Sequence, residues 1–286
     1  MRIVITGATG LVGWPIARWL VARGHAVTTL GRRAVAGLPH KDWQLGDRPD
    51  LSDQDALVHA AFTHVPGRYR GGEGDDPAGF TRANLDGTLA LFDAATAAEL
   101  RTVFLSSRAV YGAYPPGTRL TEDLPPRPDT LYGEVKLAAE RALERRGTSL
   151  RATGVYGPPV PGRTHKWADL FARFRASEDP TPRIGTELHA ADLADAVERV
   201  LSLEAMPPVL NVSDIVLDRR DLLERYGRIA GIAGPLPEPS DPATVSEMDT
   251  ARLRETGWRP RGVEGLETVL EAIVAEERAQ AAERPR

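Results

Sequence analysis

The chain opens on Arg2-Ile3-Val4-Ile5-Thr6 and passes at once into Gly7-Ala8-Thr9-Gly10-Leu11-Val12-Gly13. That junction limits the fold more than any other stretch. Ile3-Val4-Ile5 is a short apolar run of the kind that forms a buried parallel strand. A helical pattern follows from Trp14 to Arg23, so the glycines occupy a strand-to-helix turn. Gly7 permits the tight turn, Gly10 lets the backbone approach a pyrophosphate, and Gly13 lets helix and strand pack closely. The pyrophosphate would lie on the unpaired N–H groups and positive dipole end of the helix. A glycine triplet alone is an ordinary turn. With a strand before it and a helix after it, the triplet reads as a dinucleotide cradle, and Gly7, Thr9, Gly10, Leu11, Val12 and Gly13 are the candidate cofactor loop.

The rest of the chain keeps the same rhythm. His25 to Leu30 reads as a second strand, ending in Gly31-Arg32-Arg33. In dinucleotide folds an acid at this place suits a free ribose 2′-hydroxyl and an arginine suits a 2′-phosphate. Two guanidiniums and no acid favour NADP(H) over NAD(H) through Arg32 and Arg33; a solvated basic turn is the plainer alternative. Trp43 to Asp47 is predicted as a third strand and Ala56 to Ala61 as a fourth, with too little chain between them for more than a loop. Thr63 to Pro77, rich in glycine and charge, is either a solvated loop or a lid. A helix is predicted from about Phe80 to Leu100, carrying Asn84, then a strand from Thr102 to Ser107 that emerges into Arg108-Ala109-Val110-Tyr111-Gly112. A Pro-rich loop leads to a helix from Tyr132 to Arg146 and a strand from Ser149 to Thr153.

Strands alternating with helices over residues 1–158 predict an α/β fold, a doubly wound parallel sheet of Rossmann type. Beyond Pro161 the pattern loosens. Helices are predicted at Trp167 to Ser177 and Ala190 to Leu203, a strand at Val209 to Val212, and a last helix from Val263 whose tail after Glu276 frays. Residues 159–286 are therefore expected to form a smaller, partly interleaved substrate-binding part, with 189–212 packing back on the first domain.

Composition removes several alternatives. The 286 residues carry a net charge of −4, which leaves no basic footprint for nucleic acid and no polybasic membrane patch. No cysteine is present, so disulfides, thiolate metal sites and cysteine nucleophiles are excluded. No apolar run approaches spanning length, and a strand starting at residue 2 leaves no room for a signal peptide, so a cytoplasmic location is expected.

Ser107, Tyr132 and Lys136 are the candidate catalytic set. Tyr132 and Lys136 are four apart, hence one turn apart on one helical face. A free tyrosine titrates near pH ~10 and is a poor base at neutrality; an adjacent ammonium favours the phenolate. Tyr132 would then exchange a proton with a substrate oxygen as a hydride passes to or from a nicotinamide. Ser107 leaves the C-terminal end of a parallel strand, where open sheets bind ligands, and would hold the same oxygen. Lys136 is one of only three lysines, with Lys41 and Lys166. His59 and His64 lack cysteine or acidic partners at ligand-like spacing and read as structural, so no metal is expected.

Taken in order, several stretches resemble the extended short-chain dehydrogenase/reductase family, the NAD-dependent epimerase/dehydratase group. They are Thr6 to Gly13, Gly46-Asp47, His59-Ala60-Ala61, Asn84 to Thr88, Ser106 to Gly112, Tyr132 to Lys136, Val155 to Pro158 and His189 to Ala194. The resemblance implies that Asp47 contacts the adenine and that Ala60 and Ala61 line the dinucleotide cleft, with Asn84 and Val155 beside it. It also implies that Lys136 holds the nicotinamide ribose, and that the protein dimerises through the helices near 80–100 and 132–146. Departures bear on the subclass. Dehydratases of this family place an acidic pair after the catalytic Ser/Thr, whereas Arg108 and Ala109 stand here. Many nucleotide-sugar enzymes carry an asparagine where this chain has Gly154 and an arginine just before the segment matching His189, where this chain has Thr186-Glu187-Leu188. Both groups normally hold a nucleotide diphosphate. Arg68, Arg108, Arg163, His165 and Lys166 remain as candidate substrate residues, suited to an anionic or polyhydroxylated small molecule or simply to solvent. The expected activity is an NAD(P)-dependent carbonyl–alcohol oxidoreductase; an epimerase and a non-catalytic dinucleotide sensor are the alternatives.

Overall fold

The computed structural model describes residues 1–65 and 71–283. In chain order they form β1 (Arg2–Thr6), α1 (Gly13–Ala22), β2 (Ala26–Gly31), β3 (His40–Asp42), β4 (Ala56–His59) and α2 (Pro77–Thr81). A π-helical turn (Arg82–Asp86), α3 (Gly87–Ala97), β5 (Arg101–Ser107), a 3₁₀ turn (Arg108–Tyr111), α4 (Leu131–Leu143), β6 (Gly147–Ala152) and β7 (Gly154–Tyr156) follow. The remainder holds α5 (Ala168–Arg175), β8 (Ile184–His189), α6 (Ala190–Ser202), β9 (Val209–Val212), β10 (Ile215–Asp218), α7 (Arg219–Ala230), α8 (Ala251–Glu255) and α9 (Gly262–Glu283).

Seven strands make one parallel sheet in the order β3-β2-β1-β4-β5-β6-β9. Alternation along β1 serves its two faces. Ile3 and Ile5 pack with Ile16 and Leu20 of α1 and Val197 of α6, while Val4 packs with Leu57 and Leu91 on the other side. Strand order reverses between β1 and β4, and it is outside the carboxyl ends of strands at such a point that open sheets take ligands. A second, three-stranded sheet, β10-β8-β7, begins the other part of the molecule. Its neighbours α5, α7 and α9 share a separate core around Phe171, Tyr226 and Leu270. Within 189–212, β9 pairs with β6 and α6 lies on α1, where the Glu198 carboxylate accepts from Trp19 Nε1 at 2.8 Å and Arg23 Nε at 3.2 Å.

Three local expectations change. The third strand is His40–Asp42 rather than Trp43 to Asp47. It pairs at the edge with Thr29, Leu30 and Gly31, and its polar residues conceal it, while the apolar Trp43 that suggested a strand is a core residue of the following loop. The helix expected from Phe80 to Leu100 is broken by the π turn. There Asn84 Nδ2 donates to the carbonyls of Phe80 (3.0 Å) and Thr63 (2.8 Å), so a side chain competes with the helical ladder. The tail after Glu276 stays helical to Glu283, held in part by Glu277, which accepts from Tyr226 Oη at 2.8 Å and Arg175 Nη1 at 2.6 Å. Strands β8 and β10 and helix α7 carried no pattern strong enough to be placed from sequence.

Candidate active site

The glycine loop has the shape the sequence requires. Gly7 has φ +70°, and a side chain on it would start 2.7 Å from the Ala60 carbonyl carbon and the Ala61 nitrogen. A side chain on Gly13 would overlap the Gly7 carbonyl. Helix α1 therefore abuts the strand ends with only hydrogen between them. Its first turn has no side-chain cap and no acidic residue, Trp14 N–H donates to the Gly10 carbonyl at 3.1 Å and Pro15 has no N–H, which leaves the positive dipole end uncompensated toward an anion. The cradle fits a dinucleotide pyrophosphate on these grounds.

Thr6 locks the facing wall. Its Oγ1 accepts from the backbone N–H groups of Ala60 (3.1 Å) and Ala61 (3.0 Å). With both lone pairs occupied, its proton goes to His59 Nδ1 at 2.7 Å, and His59 Nε2 then donates to Thr88 Oγ1 at 2.9 Å. His59 is fully buried, and burial pushes its pKa down to about 3, so the ring is a neutral structural bridge.

The proposed acid–base groups are brought to the end of β5 by two local devices. Ser107 ends β5 in extended conformation, and its Oγ accepts from Ala109 N–H at 3.2 Å, opening the 3₁₀ turn. Thr130 caps α4 by accepting from Gly133 N–H at 3.1 Å. A side chain at Gly133 would start 2.6 Å from the Ala109 carbonyl oxygen, so a glycine allows the first turn of α4, with Tyr132, to rest against the turn that begins at Ser107. One turn on, Lys136 Nζ donates to the Leu105 carbonyl at 2.6 Å, two residues before Ser107. Lys136 is only 4% exposed, and burial brings its pKa down to about 7 against the opposing pull of Glu140.

Glu140 continues the same helical face and was not singled out in the sequence, although Tyr132, Lys136 and Glu140 are spaced by four. It accepts from Ser106 Oγ and from Arg151 Nη2 at 2.8 Å, and both charged residues are buried. Arg151 also lies 4.8 Å from the Tyr111 ring, whose hydroxyl donates to Asn211 Oδ1 at 2.8 Å. A continuous polar chain thus ties the proposed catalytic helix to β5, β6 and β9.

The other expected cofactor residues have varied surroundings. Thr9 offers its carbonyl to Arg163 Nε at 3.2 Å, Leu11 is exposed at the loop tip, and Val12 packs on the core. Arg32 and Arg33 are exposed at the end of β2 with no ion-pair partner among the described residues. The exposed Asp47 accepts from Gln44 N–H at 3.0 Å, and Val155 sits in β7 opposite Leu188. Asn84 is buried, and its side-chain bonds to Thr63 and Phe80 anchor the chain leaving β4.

Among the described residues, the proposed substrate cations have separate partners. Arg68 lies outside the described residues. Lys166 pairs with Glu187 beside Gly154, its nitrogen 2.5 Å from where a side chain at 154 would start. Arg108 donates to the Ser246 carbonyl at 3.1 Å. Arg163 and His165 line a cavity of about 200 Å³ together with Glu276 and Glu277 of α9.

The model of the NAD dependent epimerase/dehydratase family matches residues 3–213. The chain belongs to this family. It is 29% identical over 292 residues to dTDP-6-deoxy-L-talose 4-dehydrogenase (NAD(P)(+)) of Kitasatospora kifunensis, covering 91% of both chains. It is 30% identical over 300 residues to 3-diazoavenalumate denitrifying reductase of a Streptomyces species, covering 91% of this chain and 96% of that one. The solved UDP-glucose 4-epimerase of Thermus thermophilus in complex with NAD superposes with a TM-score of 0.78 at 25% identity, over 97% of this chain and 99% of the other. The protein is thus an enzyme of an NAD-dependent, Rossmann-type oxidoreductase family. Among the described residues no helix is long and apolar enough to cross a membrane.

Proposed function

We propose that this family member is an NADP(H)-preferring oxidoreductase that interconverts a carbonyl and a secondary alcohol on a small polar or sugar-like metabolite. The observation that carries the reading is the bond from Lys136 Nζ to the Leu105 carbonyl, which sets the Tyr132–Lys136 face of α4 against the end of β5 that bears Ser107. The bound nicotinamide supplies or accepts the hydride. In the reducing direction Tyr132 Oη gives its proton to the carbonyl oxygen, and in the oxidising direction it takes the proton of the alcohol. Ser107 Oγ hydrogen-bonds the same oxygen and fixes its position. Lys136, as an ammonium in a dry pocket, stabilises the Tyr132 phenolate that proton transfer leaves behind.

Arg32 and Arg33 support the NADP(H) preference, because two unpaired guanidiniums at the end of β2 suit a 2′-phosphate. The carboxylates beside three of the candidate substrate cations support a substrate without a large anionic handle. Lys166 is cancelled by Glu187, and Arg163 and His165 share their cavity with two glutamates. A second reading, an epimerase that oxidises and re-reduces one carbon with the same bound nucleotide, draws support from the likeness to the Thermus UDP-glucose 4-epimerase.

The test is NADPH oxidation over a panel of small hydroxylated carbonyl compounds with wild type and Tyr132→Phe. The proposal expects turnover in the wild type and a loss of roughly 10²–10⁴-fold in the variant with NADPH binding intact. Undiminished turnover in Tyr132→Phe would overturn it.

A further inference from the structure

Phe62 follows Ala60-Ala61 directly beyond β4, at the switch point of the sheet, and nothing in the sequence marks it. It touches both members of the Tyr132–Lys136 pair. Its ring stands at 77° to that of Tyr132 with centroids 5.0 Å apart, and Phe80 backs it at 5.5 Å. Lys136 Nζ is 4.4 Å from the Phe62 centroid and 4.6 Å from that of Phe104. The ammonium is buried, its hydrogen bond goes to one carbonyl, and among the described residues no carboxylate lies within ion-pair reach of it. The nearest aromatic faces to it are those of Phe62 and Phe104, with the Tyr132 ring farther off at 5.9 Å.

We propose that Phe62 is a positioning residue for the Tyr132–Lys136 pair. With Phe104 it cages the Lys136 ammonium, and through its own contact with Tyr132 it holds the phenol in register with that cation. The inference rests on the Tyr132–Lys136 reading above. The physical reason is the ring quadrupole, whose negative face attracts a cation most strongly where water is excluded. The other titratable groups around Lys136 do not replace this attraction. Glu140, on the same helix, is already bonded by Ser106 of β5 and paired with Arg151 of β6. His59, at the end of β4, is held neutral by burial, and His64, in the chain that follows, is shifted the same way. Tyr132 is the group being served. Phe104 stacks on His59 and meets Phe92 within the core, whereas Phe62 is half-buried at the rim. Phe62 is therefore the wall of the cage that can be altered without opening the sheet.

With only three lysines in the chain, isotopic labelling of the lysine side chains gives three resonances, assigned by Lys41→Arg and Lys136→Met. The titration of Lys136 is then followed by NMR in wild type, Phe62→Leu and Phe62→Tyr. Leucine keeps an apolar side chain and removes the π face. The cage predicts that its midpoint falls by about one pH unit and that tyrosine restores it. Should Phe62→Leu fail to fold, replacement of all phenylalanines by a ring-fluorinated analogue weakens the quadrupole at nearly constant shape and must lower the midpoint in the same direction. An unchanged midpoint in either sample overturns the proposal. The titration needs neither substrate nor nucleotide, so it stands apart from the Tyr132→Phe assay. Where turnover is measurable, the Phe62→Leu pH–rate profile shifts by the same amount and kcat falls more than KM rises.

Discussion

On the dinucleotide side of the cleft the working groups are backbone atoms fixed by small and buried residues. Thr6 holds the N–H groups of Ala60 and Ala61, Gly7 and Gly13 let helix and strand touch, and Gly133 seats α4 against the Ser107 turn. The candidate substrate groups are long cations, each held by a different partner: Lys166 by Glu187, Arg163 by the Thr9 carbonyl of the glycine loop, Arg108 by the Ser246 carbonyl. A wall made of backbone is specified by residue type at a few positions. A wall made of flexible side chains is specified by where its loops run, and its charges are settled only when their partners are known.

The contrast is broken most directly at Gly13. Gly13→Val drives a branched side chain into the Gly7 carbonyl, so NADPH affinity, read by nucleotide fluorescence, falls by roughly 100-fold or more. Retained binding would mean that the backbone wall tolerates what its geometry forbids. The next effect compares ion pairs. Arg151→Ala leaves Glu140 buried and uncompensated beneath α4 and loses about 3–5 kcal/mol in urea unfolding. Arg175→Ala, removing a pair whose side chains are 42% and 27% exposed, loses about 1 kcal/mol or less. Equal losses would erase the distinction between the two halves. Smaller again is the Arg32→Ala/Arg33→Ala double variant, expected to weaken NADPH binding about tenfold while leaving NADH unchanged. The smallest expected effect is none: uridine diphosphate at millimolar concentration leaves the Tm unmoved, because Lys166 beside Gly154 is paired with Glu187 and the Arg163–His165 cavity also holds Glu276 and Glu277. A rise of several degrees would restore a nucleotide-sugar substrate.

The same contrast explains what could be read from the sequence. The glycine turn, the strand–helix alternation and the Tyr132–Lys136 spacing are local patterns, and the strands of that alternation form the seven-stranded parallel sheet. β3 is hidden from sequence because its polar residues pair at an edge, where alternation carries little information. The π turn escaped because it depends on Asn84 reaching Thr63, twenty-one positions away. Phe62 escaped for a similar reason: its partners lie on α4, and no periodicity links residue 62 to residues 132 and 136. Glu140 was legible in principle as the third member of an i, i+4 series, but its partner Arg151 becomes visible only when β6 is laid beside β5. In the second part β8 and β10 pair antiparallel across a long separation that no local pattern announces.

The most direct measurement on the central claim is the identity and occupancy of any nucleotide released when the purified protein is denatured. The account predicts a protein that comes essentially empty, then binds NADPH more tightly than NADH and exchanges it between turnovers. Near-stoichiometric, tightly held NAD⁺ would contradict it, overturning both the Arg32–Arg33 argument and the reductase in favour of an epimerase that keeps its nucleotide.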